Sequence, residues 1–251
     1  MKTRFMTLLG RAAREGLDAV IDLLYPRQCQ ICGATERCTR FAFVCDDCHA
    51  SAPRIQPPCC ERCGMPFSSN LASPFTCANC HDITLHFDRA VAAMRFHGAV
   101  RQAVHALKYR GQAFWTQLLC DWMNENKDRL LDPADFDVII PIPLHPVRER
   151  ERGFNQARLL AEELGRQWNK PLLRKALIRQ RPTETQTHLD RQERQANLRG
   201  AFAAKAPLRI RGQRCLLVDD VLTTGSTASE CARVLREAGA VSILVFTLAR
   251  G

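Results

Sequence analysis

Residues 218–227 read Val218-Asp219-Asp220-Val221-Leu222-Thr223-Thr224-Gly225-Ser226-Thr227. They join the end of an apolar, strand-like run to two carboxylates and a hydroxyl-rich turn, and apolar residues at helical spacing follow. In open α/β sheets, ligands bind at the carboxyl ends of the strands, and the start of a helix offers N–H groups to an anion. The two acids are acceptors that suit sugar hydroxyls or a hydrated Mg²⁺. The stretch therefore predicts a site for a phosphorylated ribose.

Strand-like and helix-like patterns alternate on both sides of this stretch. Strands are predicted at residues 89–96, 137–144, 172–178, 215–218 and 241–248, and helices at 100–108, 112–124, 154–164 and 227–238. Residues 145–153 are predicted to form a charged loop, and the polar residues 179–199 a mobile loop or lid. This alternation predicts an α/β fold with a mainly parallel sheet and helices on both faces.

Eight of the thirteen cysteines form four Cys-x2-Cys pairs in the first third of the chain. The first cysteine set comprises Cys29, Cys32, Cys45 and Cys48, and the second cysteine set comprises Cys60, Cys63, Cys77 and Cys80. The spacing is typical of zinc ribbons, in which four thiolates hold a tetrahedral Zn²⁺, so we expect two structural zinc ions. Disulfides, a redox motif or another thiolate-bound metal are the alternatives. Cys59 is an alternative to Cys60 as a ligand.

Residues 1–26 have an apolar stripe at helical spacing, which predicts an amphipathic helix. Docking onto the chain's own domains and contact with a membrane are both open interpretations of this stripe. Charged residues interrupt its apolar core, so we do not expect a signal peptide. No uninterrupted stretch of apolar residues is long enough to span a bilayer. A cytoplasmic location follows as the expectation, and there thiols remain reduced.

Positive charge is concentrated late in the chain. The formal net charge is +10, and residues 166–211 contain twelve Lys or Arg against three acids, a net of 12 − 3 = +9. Such a segment attracts polyphosphates or nucleic acid, although a solvated basic surface is the alternative.

Several further stretches, in order, carry a resemblance to a known family. They are the Cys-x2-Cys repeats, Leu107-Lys108-Tyr109, Ile140-Pro141-Ile142-Pro143-Leu144, Arg152-Gly153-Phe154-Asn155-Gln156, Thr185-Gln186, Arg194, Asn197, Phe202 and the acid-rich motif at 219–225. The chain resembles the ComF family, including its GntX-like branch. The resemblance implies a zinc region at residues 27–86, after the helix at 1–26, and a type I phosphoribosyltransferase domain at 87–251. It also implies a role linked to competence or the use of external DNA.

The motif at 219–227 likewise resembles the phosphoribosyl pyrophosphate (PRPP) motif of type I phosphoribosyltransferases. We therefore expect a Mg²⁺-dependent transfer of ribosyl 5-phosphate, with Asp219 and Asp220 at the ribose. The other expected PRPP-binding residues are Val221, Leu222, Thr223, Thr224, Gly225, Ser226, Thr227, Lys108, Arg148, Arg152, Arg191 and Arg194. The alternative function is a non-catalytic module that binds PRPP and single-stranded DNA beside DNA-uptake proteins.

Overall fold

The structure is a computed structural model that describes residues 28–35, 38, 40–67, 75–81, 83–125, 131–182 and 197–251. The chain divides into two compact units, Met1–Ala52 and Pro53–Gly251. The first cysteine set lies in the first unit, and the second cysteine set lies in the second unit with the parallel sheet. The helix predicted at residues 1–26 is outside the described residues. Among the described residues, no helix has the length and apolar character that a membrane span requires.

Helices and strands alternate along most of the described chain. In order from the amino terminus they are α1 (Asp46–Ala50), α2 (Ala78–His81), β1 (Arg89–Arg95), α3 (Gly98–Arg110), α4 (Trp115–Asn124), a 3₁₀ turn (Pro133–Asp135), β2 (Val138–Pro141), α5 (Pro146–Arg152), α6 (Gln156–Gln167), β3 (Leu177–Arg179), β4 (Phe202–Ala204), α7 (Pro207–Ile210), β5 (Arg214–Leu222), α8 (Ser226–Glu237) and β6 (Ser242–Arg250).

Four strands form the central sheet in the order β1-β6-β5-β2, and every neighbouring pair is parallel. In the central strand β5, the run from Cys215 to Val218 is fully buried. Such near-continuous apolar runs are typical of parallel strands that are covered on both faces. β5 continues to Leu222, four residues beyond its predicted end at 218, so Asp219 and Asp220 belong to the strand itself. The predicted parallel α/β architecture is confirmed.

Alternate residues of the central strands face different layers. Cys215 and Leu217 belong to an apolar cluster with Cys231 and Leu235 of α8 and with buried residues of the second cysteine set. On the opposite layer, α4 and α6 pack against the sheet and each other, and Trp168 stacks on Phe246 of β6 at a centroid distance of 5.8 Å. Helices therefore cover both faces, and the second cysteine set shares a core with the sheet.

The prediction of a loop at residues 145–153 is wrong, because Pro146–Arg152 forms the helix α5. The sequence does contain the physical signals for a helix. Pro146 occupies the first helical position, the Nδ1 atom of His145 accepts a hydrogen bond from the N–H of Val147 at 3.3 Å, and Gly153 ends the helix with φ of 84°. Proline at the start and a left-handed glycine at the end are typical helix boundaries. The alternating charges of residues 148–152 are typical of a solvated loop and led to the wrong prediction.

The strand predicted at residues 172–178 agrees with the structure only at residues 177 and 178, where β3 begins. Leu172 forms a single parallel bridge with Ile139, and a turn closed by the N–H of Ala176 and the carbonyl of Leu173 then leads the chain away. β3 pairs instead with β4, antiparallel, in a separate two-stranded sheet. Most of the predicted lid, residues 183–196, lies outside the described residues. At its described ends, Nη2 of Arg181 donates to the carbonyl of Asn197 at 2.6 Å.

Candidate functional site

Asp220 lies at the carboxyl end of β5 and is 2 % exposed. One of its carboxylate oxygens forms an ion pair with the ammonium of Lys108, which comes from the last turn of α3. The other oxygen accepts a hydrogen bond from Nε2 of Gln156, the first residue of α6, at 3.1 Å. Three elements that are distant in sequence therefore meet at one buried carboxylate.

The two neighbouring acids titrate in opposite directions. Burial raises the pKa of Asp219 well above its usual range, and the charge of Asp220 raises it further. Burial alone would also raise the pKa of Asp220, but the Lys108 ammonium, together with hydrogen bonds from Asp219 and Gln156, outweighs burial and lowers that pKa. In the ligand-free site the negative charge is therefore held on Asp220, whereas Asp219 retains its proton to higher pH.

The predicted phosphate cradle forms the turn between β5 and α8. Gly225 has φ of 80°, a left-handed conformation that glycine adopts without strain, and α8 begins at the next residue. The hydroxyls of Thr224 and Ser226 lie 3.0 Å apart. Thr223 is exposed and Thr227 half-buried. Val221 and Leu222 remain in the strand, where they pair with Ala249 and Arg250 of β6. The N-terminal end of α8 thus faces the edge of the sheet that carries the acids, as an anion site requires.

A cavity of about 450 Å³ lies beside Lys108. Its walls are Lys108, Tyr109, Gly111, Arg148, Glu151 and Arg152. Arg148 and Arg152 are one helical turn apart on α5 and so share one face of that helix. The Arg152 guanidinium lies over the Tyr109 ring at 5.8 Å and also donates to Oε1 of Gln156. A continuous polar chain therefore runs from Arg152 through Gln156 and Asp220 to Lys108. The predicted residues Arg191 and Arg194 lie outside the described residues.

Sequence reasoning did not assign Asn155, Gln156 or Arg179 to this site, although Asn155 and Gln156 are among the residues that carry the family resemblance. Asn155 caps α6 by accepting from the N–H groups of Ala157 and Arg158, and its Nδ2 donates to the carbonyl of Ile142 at 3.0 Å. This capping fixes the start of α6 against the end of β2 and thereby places Gln156. A cap residue directly before an apolar helical pattern was the available signal. Arg179 lies over the Phe202 ring at 5.4 Å. Burial lowers the pKa of Arg179, while the neighbouring Asp219 acts in the opposite direction.

The predicted cysteine sets converge as two clusters. In each set the four sulfur atoms lie within 4.8 Å of one another. Individual separations in the second set are 3.6 Å for Cys77 and Cys80, 3.7 Å for Cys63 and Cys77, and 3.9 Å for Cys60 and Cys80. Four sulfurs at about 2.3 Å from a tetrahedral Zn²⁺ lie about 3.8 Å apart, whereas a disulfide requires about 2.05 Å. The observed distances fit zinc.

Backbone N–H groups support a thiolate in each cluster. Burial alone would raise the pKa of Cys29, but N–H groups led by that of Cys32 outweigh it and lower the pKa to about 6. The same balance, led by the N–H of Cys77, lowers the pKa of Cys60 to about 7. Cys59 is outside the cluster, and its sulfur donates to the carbonyl of Gln56 at 3.5 Å. Cys60 therefore lies at the ligand position.

Comparisons with known proteins agree with both parts of this description. Residues 20–84 match the double zinc ribbon domain family, and residues 131–251 match the phosphoribosyl transferase domain family. The two four-cysteine clusters and the double zinc ribbon match support two structural zinc ions.

Several curated relatives match this chain over most of their own length. The DNA utilization protein YhgH of Shigella flexneri is 32% identical over 216 residues, covering 82% of this chain and 90% of that protein. Competence protein F of Haemophilus influenzae is 30% identical over 84% of this chain and 98% of that protein. Competence protein ComFC of Bacillus subtilis is 31% identical over 82% of this chain and 84% of that protein. With its zinc ribbons and its phosphoribosyltransferase domain, the chain belongs to the ComF family.

Proposed function

We propose that this protein binds PRPP with Mg²⁺ at the carboxyl edge of its sheet and transfers the ribosyl 5-phosphate to an acceptor. The observation that carries the proposal is the polar chain from Arg152 through Gln156 and Asp220 to Lys108. It joins one carboxylate of the acid pair to the basic cavity, and the turn at residues 223–227, which we call the phosphate-binding turn, directly follows the strand that carries the acids. PRPP requires these three kinds of subsite. The phosphoribosyl transferase domain match supports the same ligand class.

Each part of PRPP has a chemically suitable place in this arrangement. The 5-phosphate binds the turn at residues 223–227, where N–H and hydroxyl donors surround it. The ribose hydroxyls donate to Asp219 and Asp220, which lie nearest the carbon that becomes positive as its bond to pyrophosphate breaks. Arg148 and Arg152 bind the departing pyrophosphate, which leaves with the bonding electron pair. Bound Mg²⁺ supplies further positive charge to the pyrophosphate oxygens. Arg191 and Arg194 remain candidates for closing over the site.

The acceptor forms its bond to the same ribose carbon and loses a proton. Holding both reactants in line is the main source of rate acceleration in such a transfer, because little covalent chemistry is left to the protein. The buried ion pair of Lys108 and Asp220 fixes one wall of the site before the ligand arrives. This preorganisation reduces the ordering cost of binding.

Calorimetric titration of the zinc-loaded protein with PRPP and Mg²⁺ tests the proposal. We expect micromolar binding by the wild type and none by the double variant Asp219→Asn/Asp220→Asn. Asp137→Asn is the matched control, since Asp137 directly precedes β2 and pairs with Arg214 at the opposite end of the sheet. Failure of the folded wild type to bind would refute the PRPP site. Binding followed by pyrophosphate release with an acceptor would establish transfer.

The second candidate is a non-catalytic protein that binds PRPP and single-stranded DNA during DNA uptake. The names of the relatives, which concern DNA utilization and competence, favour it. Arg199, Lys205, Arg209 and Arg211 are exposed, and none takes part in an ion pair recorded between described residues. A cytoplasmic location is part of both proposals, because it keeps the cysteines reduced for zinc.

The salt dependence of DNA affinity tests this second candidate. Each phosphate neutralised by Lys or Arg releases counterions, so the affinity for a labelled single strand should fall by about tenfold or more between 50 and 200 mM salt. Arg209→Ala/Arg211→Ala should reduce both the affinity and this slope. An affinity that does not change with salt would refute DNA binding through the basic segment.

A further inference from the structure

Arg250, the last residue of β6, is a buried cation between two sites. It is 5 % exposed. On one side its Nε donates to the carbonyl of Cys63 at 3.2 Å, and its Nη2 lies 3.8 Å from the Cys63 sulfur. On the other side its Nη1 donates to the carbonyls of Leu222, at 2.8 Å, and of Thr223. One guanidinium group therefore contacts both a member of the second cysteine set and the phosphate-binding turn.

The surroundings of this guanidinium favour a zinc-loaded neighbour. Among the described residues, the guanidinium contacts backbone oxygens of Cys63, Leu222, Thr223 and Gly251 and the sulfur of Cys63. A buried charge is costly unless an opposite charge or several hydrogen bonds compensate it. Four thiolates around one Zn²⁺ carry a net negative charge, so a loaded site adds negative charge beside the guanidinium. Zinc binding at the second cysteine set therefore strengthens the contact between Arg250 and Cys63.

The second cysteine set is also fixed to the sheet. A Cβ atom on Gly64 would lie 2.8 Å from the carbonyl oxygen of Ala90 in β1, so the backbone after Cys63 packs directly against that strand. The N–H of Ala90 donates to the carbonyl of Arg62 at 2.9 Å. The turn that carries Cys63 is thus anchored to the sheet, and Arg250 links this turn to the phosphate-binding turn.

Peptide geometry gives this contact a consequence for phosphate binding. In a trans peptide the N–H group points away from the carbonyl of the same unit. Arg250 holds the carbonyls of Leu222 and Thr223 on its own side, and the N–H of Gly251 also donates to Leu222 at 3.0 Å. The N–H groups of Thr223 and Thr224 are thereby turned to the opposite side. A phosphate cradle needs its N–H groups aligned in this way.

We propose that Arg250 is a positioning residue that couples the zinc ion of the second cysteine set to the phosphate-binding turn. Zinc at this site orders the turn and strengthens phosphate binding, and phosphate binding in return strengthens zinc retention. Zinc at the first cysteine set, which belongs to the other compact unit, has no such effect. The affinity part of the inference rests on the proposed PRPP function, whereas the ordering of the turn does not.

Hydrogen exchange of the amides at residues 219–227 tests the ordering without PRPP. We expect Arg250→Lys to accelerate exchange there by about tenfold or more, because a lysine cannot reach both sides with directed donors. Arg236→Lys is the control for an arginine that links separate segments, since Arg236 donates to the carbonyls of His86 and Val241 and pairs with Asp88 but has no contact with either site among the described residues. Cys80→Ser should reproduce the acceleration, while Cys48→Ser, which removes a ligand of the first set, should not.

Zinc competition and phosphate binding test the coupling. In the wild type, PRPP with Mg²⁺, or ribose 5-phosphate, should slow the release of one of two zinc ions to a chromogenic chelator by about fivefold or more, and Arg250→Lys should abolish the slowing. Folded Arg250→Lys protein with unchanged exchange at 219–227 would overturn the inference, as would equal effects of Cys48→Ser and Cys80→Ser. If the wild type fails to bind PRPP, the proposed function fails, and the exchange experiment still decides this inference.

Discussion

Asp220→Asn removes the charge of a carboxylate whose partner ammonium is also largely buried. The side chains of Asp220 and Lys108 are 3% and 20% exposed. Removing one member of a buried pair costs about 3–5 kcal/mol, because the other charge is left uncompensated. Since Lys108 retains some contact with water, and an asparagine oxygen can still accept from Gln156, we expect a loss of about 2–3 kcal/mol in the free energy of unfolding.

A double-mutant cycle with Lys108→Met isolates the interaction between the two charges. The double variant should lose about 1–3 kcal/mol less stability than the sum of the single variants, because the second substitution no longer leaves a charge unpaired. Urea unfolding followed by tryptophan fluorescence measures all four proteins. The more exposed pair Arg174 and Glu162, with side chains 61% and 34% exposed, serves as the control cycle, in which we expect a coupling of at most about 0.5 kcal/mol.

If the stability losses of the two single variants add up to that of the double variant within about 0.5 kcal/mol, the two charges do not interact and the buried pair is refuted.

A separate measurement addresses the ligand. Asp220→Asn should weaken the binding of PRPP with Mg²⁺ by about tenfold or more, roughly 1.4 kcal/mol. Unchanged affinity in the folded variant would remove Asp220 from the ribose subsite while leaving its structural role intact.

Three further predictions concern the neighbouring residues. Asp219→Asn should stabilise the ligand-free protein at neutral pH. Because the pKa of Asp219 is raised in the folded state, the stability of the wild type falls as pH rises from about 4 through that pKa. Urea unfolding at a series of pH values should show that the variant lacks this fall in stability. Gly225→Ala should cost about 1 kcal/mol of stability, because its φ of 80° strains any L side chain, and should weaken the binding of ribose 5-phosphate in a calorimeter. Arg148→Gln/Arg152→Gln should weaken the binding of PRPP by about tenfold or more and leave the binding of ribose 5-phosphate unchanged. Arg150→Gln is the control, because Arg150 does not line the cavity. An equal loss of affinity for both ligands would contradict the assignment of Arg148 and Arg152 to the pyrophosphate.

The parallel sheet could be predicted because its strands are short apolar runs bounded by turn residues. The run from Cys215 to Val218 has no polar interruption, and the hydroxyl-rich turn after Leu222 marks the start of a helix. The two cysteine clusters were also predictable, since the Cys-x2-Cys spacing fixes local geometry that does not depend on distant contacts. In both cases the decisive information lies within a short window of sequence.

The parts that sequence reasoning missed depend on contacts between distant segments. Gln156 lies 64 positions from its partner Asp220, and Arg250 lies 187 positions from Cys63. No local pattern indicates which carboxylate or carbonyl a side chain will reach. The prediction of a loop at residues 145–153 was wrong for a different reason. The alternating charges of residues 148–152 resemble those of a solvated loop, although Pro146 and Gly153 mark the ends of a helix.

The two adjacent acids can serve different purposes because only one of them has a fixed cation. Asp220 is ionised in the ligand-free protein, and its contacts with Lys108 and Gln156 hold it in place. Burial and the neighbouring negative charge raise the pKa of Asp219 despite the Lys108 ammonium, so Asp219 holds its proton to higher pH than Asp220 does. A ligand that brings Mg²⁺ favours the ionised form of Asp219 and should therefore release a proton on binding. Titrations in two buffers of different ionisation enthalpy measure this release. Binding without it would mean that Asp219 remains protonated and acts as a hydrogen-bond donor to the ligand.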